Sequence, residues 1–215
     1  FENAIATCPV CSASRSAIVT GRYQTSIGAH HHRSNRDTPL PDHVPFFTER
    51  LRAAGYFTVN GNASQPNRGG KQDFNFAVEN PYDGTDWRDR PDGRPFFAQM
   101  HFGEAHRTFH CDKERPIDPE AVELPPYYPD HPIARIDWAL YLETIQNLDR
   151  KVGALLDRLE EDGLAENTIV FFTGDHGRAM VRGKQWIYEG GIHVPLIVRR
   201  PDDPDAGRVR ADLVS

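Results

Sequence analysis

The sequence predicts an α/β domain: a layered fold with a largely parallel central sheet flanked by helices. Short apolar runs that read as buried strands alternate with helix-like stretches. One long segment, 136–161, repeats apolar residues at three- and four-residue steps, the period of an amphipathic helix. Two apolar runs end in polar residues at glycine-containing turns, as strands do beside ligands in open α/β sheets. With 215 residues, 38% of them hydrophobic, the chain can build one core, as a single domain or the larger part of one.

Taken in order, a helix-like run begins at Cys11. Pro45 to Ala54 reads as a short helix stopped by Gly55, and Tyr56 to Asn60 as the strand after it. Asn62 to Arg94 is rich in Gly, Asn, Asp, Arg and Pro, which predicts a long surface excursion with little regular structure. Pro95 to Phe102 is again an apolar strand, and Arg107 to Pro132, proline-rich around Pro125-Pro126-Tyr127-Tyr128, is irregular. In the helix Ile136 to Glu161, one buried face is marked by Ile136, Leu140, Ile145, Leu148, Val152, Leu155, Leu156 and Leu159, and Gly163 ends it. The runs Ile169 to Phe172 and Val194 to Val198 suit buried strands and are far too short to cross a bilayer.

The formal net charge of -6, with basic residues scattered along the chain, argues against a nucleic-acid partner. Three cysteines give no even framework; with one assigned to chemistry, Cys8 and Cys111 either pair or stay free. The opening Phe1-Glu2-Asn3-Ala4 has neither an initiator methionine nor the regions of a signal peptide, so the chain reads as a fragment.

The richest segment is Pro9-Val10-Cys11-Ser12-Ala13-Ser14-Arg15. A cysteine at a helix start faces unpaired N–H groups and the positive end of the macrodipole, which favour an anionic nucleophile or ligand. Arg15, four residues on, adds a permanently charged planar fork suited to a tetrahedral oxyanion. The strand 169–172 delivers Asp175, a hard oxygen donor, and His176 into a turn. The strand 95–102 leads to His106, which can carry a proton near neutral pH, whereas His101 within it reads as a satisfied core histidine. His30-His31-His32-Arg33 reads as a pocket-lining loop, since successive residues seldom converge on one ion.

The run C-S-A-S-R followed by A-I-V-T-G resembles the first signature of the type I sulfatases, C-x-(P/A)-x-R; Cys8 lacks the arginine at the same offset. The turn T-G-D-H-G, the stretch Gly183-Lys184 to Tyr188-Glu189-Gly190-Gly191-Ile192-His193-Val194-Pro195, and Pro95-Phe96-Phe97 to His106-Arg107 resemble later motifs of that family. The stretch Pro125 to Arg135 resembles N-sulfoglucosamine sulfohydrolases and related carbohydrate sulfatases. This resemblance implies an alkaline-phosphatase-like fold and hydrolysis of sulfate esters or N-sulfates, with Cys11 converted by a formylglycine-generating maturation enzyme to an aldehyde that acts as its gem-diol.

It further implies catalytic roles for Arg15, His106, Lys184 and Lys71, and Ca2+ (Mg2+ being possible) at Asp175, His176 and the converted Cys11. His31 and His32 would line the substrate pocket, and the substrate would be a sulfated small molecule or saccharide. Lys71 enters through Lys71-Gln72-Asp73-Phe74-Asn75-Phe76, with Asp73 where relatives have histidine; His193 replaces the usual arginine. By the same resemblance, residues 1–215 form a partial catalytic domain that lacks a first strand with metal-binding aspartates and a C-terminal subdomain. Family members are commonly periplasmic, secreted or lysosomal. Two alternatives stay open: a phosphatase or phosphodiesterase of the same superfamily, and an inactive fragment.

Overall fold

The computed structural model describes residues 1–65 and 68–215. Its elements run β1 (Asn3–Ala4), α1 (Cys11–Thr20), α2 (Phe47–Ala53), β2 (Phe57–Asn62), β3 (Phe96–His101), α3 (Pro132–Glu161), β4 (Val170–Thr173), α4 (Glu189–Ile192), β5 (Leu196–Arg199) and β6 (Leu213–Val214). The alternation is the expected α/β order. Two ladders are parallel, β1 with β6 and β2 with β3, while β4 and β5 pair antiparallel. Among the described residues these remain three two-stranded pieces rather than one continuous sheet. The apolar runs of β4 and β5 are accordingly not fully buried: Phe171 is 66% and Ile197 61% exposed.

Two aromatic cores hold the layers. Val19 from α1 packs with Phe46, Phe74 and Phe76, and Phe57 and Val59 of β2 pack with Trp87. Phe74, Phe76 and Trp87 all lie within 62–94, so that segment is no mere surface excursion. Its polar composition conceals three anchors, and Asn75 between two of them is buried because its N–H donates to Ser16 Oγ at 2.9 Å. Burying such aromatic surface contributes about 2–3 kcal/mol per ring, enough to pin an otherwise irregular loop.

Helix α3 starts four residues before the expected Ile136, because His131 accepts from Ile133 N and Pro132 occupies the first turn without needing a donor. Its apolar stripe is only half buried, with Ile136 48% exposed, and the fully buried positions include Glu143 and Thr144. The cause is backbone satisfaction. Glu143 accepts from the N–H groups of Asp112 and Ile117, and Thr144 from that of His110, so the irregular 107–132 segment is tied to the helix by polar side chains. Cys8, Cys11 and Cys111 are all free. Among the described residues no helix is long and apolar enough to cross a membrane.

Candidate active site

Helix α1 presents the site. Its N-cap, Val10, supplies no side-chain acceptor, so unpaired N–H groups and the positive dipole end lie at Cys11. Cys11 is 1% exposed, and Arg15 falls one turn later on the same side. The turn after β4 meets this helix: Ser14 Oγ donates to the Asp175 carbonyl, and Arg15 Nε donates to Asp175 Oδ2 at 2.7 Å. His176 Nε2 lies 3.1 Å from Cys11 Sγ and 3.7 Å from Asp175 Oδ1. Its other nitrogen, Nδ1, donates to the Gly177 carbonyl at 2.7 Å, which fixes the ring with Nε2 toward the sulfur.

The loop 183–191 closes over this turn through an unusually tight backbone crossing. A Cβ on Gly177 would lie 2.0 Å from the Gly190 carbonyl oxygen, and one on Gly191 1.9 Å from that of Trp186. Close approach, rather than a positive φ, is what these glycines supply. Gln185 N then donates to the Pro9 carbonyl at 2.8 Å, docking the loop on the entry to α1. Lys184 is thereby delivered beside the sulfur, and its ammonium donates to His106 Nε2 at 3.2 Å. His106 is exposed, with Nδ1 donating to the Arg107 carbonyl at 2.6 Å.

These contacts set the charge of the thiol. Burial pushes its pKa up, but hydrogen bonds from His176 and Lys184 and the charges of His176 and Lys71 outweigh it, bringing the pKa down to about 6. For His176 burial favours the neutral ring, yet the bond to Cys11, the Asp175 charge and the Gly177 carbonyl raise its pKa. Burial also pushes the Asp175 carboxyl up, and the charges of Arg15, His176 and Lys71 hold it below the usual range.

The expected residues are therefore brought together with two qualifications. Lys71 reaches the rim: its carbonyl accepts from Arg15 Nη1 at 3.1 Å and its ammonium lies 3.3 Å from Asp73. His32 Nδ1 sits 3.0 Å from Ser12 Oγ, but the His31 ring packs on His30, and among the described residues no hydrogen bond ties that ring to the cluster. His193, at the position of the usual arginine, points away; it bonds Glu189 Oε2 at 3.0 Å and the Glu2 carbonyl.

Residue reading alone missed Ser12, Ser14 and the part played by His101. His101 Nδ1 lies 3.2 Å from Arg15 Nη1 and its Nε2 2.7 Å from Asn60 Oδ1, so it is satisfied, as expected, but by the site arginine. The serines sit inside the C-S-A-S-R run; Ser14, three residues after Cys11, shares its side of the helix, and that spacing was the available signal, while nothing in the spacing marked Ser12.

Cys11, Asp175 and His176 offer ligand atoms within 4.8 Å of one another. This sulfur, oxygen and nitrogen set can hold part of a divalent cation's shell. Replacing the thiol by oxygen would harden the set, while calcium's six to eight oxygens exceed what these three residues offer.

A buried cysteine at a helix start, with Arg15 on the same helix, Lys184 on a loop and the Asp175 carboxylate after a strand, gathers positive charge around one thiol in an α/β protein. The Sulfatase family model matches residues 1–93 and 82–215, and the chain belongs to that family. An ulvan-active sulfatase of Formosa agariphila is 33% identical over all of this chain and 44% of its own length. The human N-sulphoglucosamine sulphohydrolase is 31% identical over 58% of this chain and 30% of its own. The chain thus spans less than half the length of these relatives. Among solved structures, a 2-O GAG sulfatase superposes with a TM-score of 0.66 at 19% identity, over 94% of this chain and 56% of that one. A phosphonate monoester hydrolase of Agrobacterium radiobacter also reaches 0.66, at 17% identity, over 93% of this chain and 60% of that one. These likenesses show the alkaline-phosphatase-like α/β fold.

Proposed function

We propose that residues 1–215 belong to the catalytic domain of a sulfatase that hydrolyses sulfate esters of a saccharide, with residue 11 acting as formylglycine after a maturation enzyme has converted the cysteine. The observation that carries this reading is the placement of Cys11 Sγ at an uncapped helix start, 3.1 Å from His176 and beside Lys184. The family match and the sulfated substrates named for the relatives support it.

The converted residue, as its gem-diol, supplies the oxygen that attacks sulfur and a second hydroxyl whose deprotonation releases sulfate. His176 Nε2 lies 3.1 Å from where Sγ now stands, within reach of that group. Lys184 and Arg15, with the α1 dipole, bind the sulfate oxygens and stabilise the charge that grows in the transition state; one such donor contributes roughly 10²–10³ in rate. The His106–Lys184 pair, in contact at 3.2 Å, delivers the proton to the departing alcohol. Lys71 adds positive charge at the rim. Asp175 and His176 would hold the divalent cation, which we take to be calcium, and which when bound withdraws charge from the sulfate. Arg15 holds Asp175 in place for that role.

Mass spectrometry of the Cys11 peptide from active, full-length protein tests this directly. Loss of sulfur and gain of an aldehyde oxygen is expected, together with turnover of sulfated saccharides. An unmodified thiol in an active preparation, or faster cleavage of the matching phosphate esters, would overturn it.

A further inference from the structure

Beside the reaction centre, three cations converge on one carboxylate. Asp73, its side chain 5% exposed, accepts from Arg33 through Nε at 3.0 Å and Nη2 at 2.9 Å, from Arg36 Nη2, and faces Lys71 Nζ at 3.3 Å. The bidentate Arg33 pair alone neutralises the acid, so Arg36 and Lys71 leave the cluster two positive charges in excess. A structural clamp has no need of that excess, and mutually repelling cations at one carboxylate are costly unless an anion joins them. The guanidinium groups face outward: the Arg33 and Arg36 side chains are 46% and 49% exposed. Among the described residues neither Arg33 Nη1 nor Nε and Nη1 of Arg36 has a hydrogen-bond partner.

The cluster is joined to the nucleophile's helix. Arg33 N donates to Ser12 Oγ at 3.0 Å, one residue from Cys11.

We propose that Arg33 and Arg36 form a second anion subsite, which takes a carboxylate or a second sulfate on an acidic saccharide whose other sulfate ester lies at residue 11. This rests on the sulfatase reading and narrows the substrate class to saccharides with at least two anionic groups. Asp73 presents the two forks and leaves their outer N–H edges free for the ligand.

The test uses the intact protein and three disaccharides with the same sulfate ester: one with a uronate carboxylate, one with that carboxylate reduced to an alcohol, and one with a second sulfate instead. At least one acidic substrate should exceed the neutral one in kcat/KM, and the better of the two identifies the group. Arg33→Gln and Arg36→Gln should each lower that preference by about five- to tenfold, Arg→Lys less so, and added salt should erode it. Equal kcat/KM for neutral and acidic substrates, or an equal fall on all three in the variants, would overturn the subsite while leaving the sulfatase reading intact. Calorimetry of two disaccharides that lack the scissile ester, one with the uronate and one with the second sulfate, in wild type and Arg36→Lys decides the subsite even if no sulfate ester is cleaved or a Gln variant does not fold. No binding to the wild type would then count against it.

Discussion

Arg15 Nη1 and His101 Nδ1 meet at 3.2 Å, and a guanidinium can only donate, so the imidazole must accept there and donate from Nε2 to Asn60 Oδ1. The neutral tautomer is thereby built into the support of the site arginine. Burial and the Arg15 charge agree with that requirement, bringing the His101 pKa down to about 4.

Protonation of this ring should therefore break the Arg15 contact. Because the folded pKa lies below the unfolded value, the unfolded state binds more protons between the two, and stability falls as pH drops from about 6.5 towards 4. The contribution is roughly 3 kcal/mol at most. Chemical denaturation across that window should show the loss in wild type and a shallower slope in His101→Gln; identical slopes would exclude the assignment.

In unconverted protein the Cys11 thiol should ionise near pH 6, readable as thiolate ultraviolet absorbance. His176→Ala and Lys184→Met should each move the midpoint upward, since both residues stabilise the thiolate. A midpoint near 9 in wild type would mean that neither contact forms in solution.

Substitution of His106 by alanine should matter most where the leaving alcohol is a poor one. On a sugar sulfate kcat should fall about 10²–10⁴-fold, and far less on an aryl sulfate with an acidic phenol. Equal losses on both would assign His106 to binding rather than proton delivery.

Remote from the site, Arg158 pairs with the buried Asp86 and stacks over Trp87 at 4.1 Å. Burial pushes the Asp86 carboxyl up, but Arg158 and the Arg88 N–H hold it below the usual range. Arg158→Ala leaves a buried carboxylate short of its main partner, and urea titration should report a loss of about 3 kcal/mol. Asp86→Asn with Arg158→Met should recover part of it, because both the charge and its counter-charge are then gone.

The cluster around Cys11 was legible wherever its residues are neighbours in sequence. Cys11 and Arg15 share a helix turn, and Asp175 and His176 share a strand end, so spacing alone aligns them. His101 was not legible as a support for Arg15, because that contact joins α1 to the end of β3, 86 residues on, and periodicity does not say which elements meet. Phe74 and Phe76 were hidden by the polar residues around them, and Glu143 by sitting on a helix whose leucines promise an apolar face. Composition describes the average of a segment, while one aromatic or one carboxylate can decide where it lies.

Cys11 is 1% exposed in the folded chain, yet the histidine in contact with it lies 165 residues further along. During translation at about 5–20 residues per second, residue 11 is therefore made about 10–30 s before the histidine that will contact it. If residue 11 is converted as proposed, that interval is the working time open to the maturation enzyme.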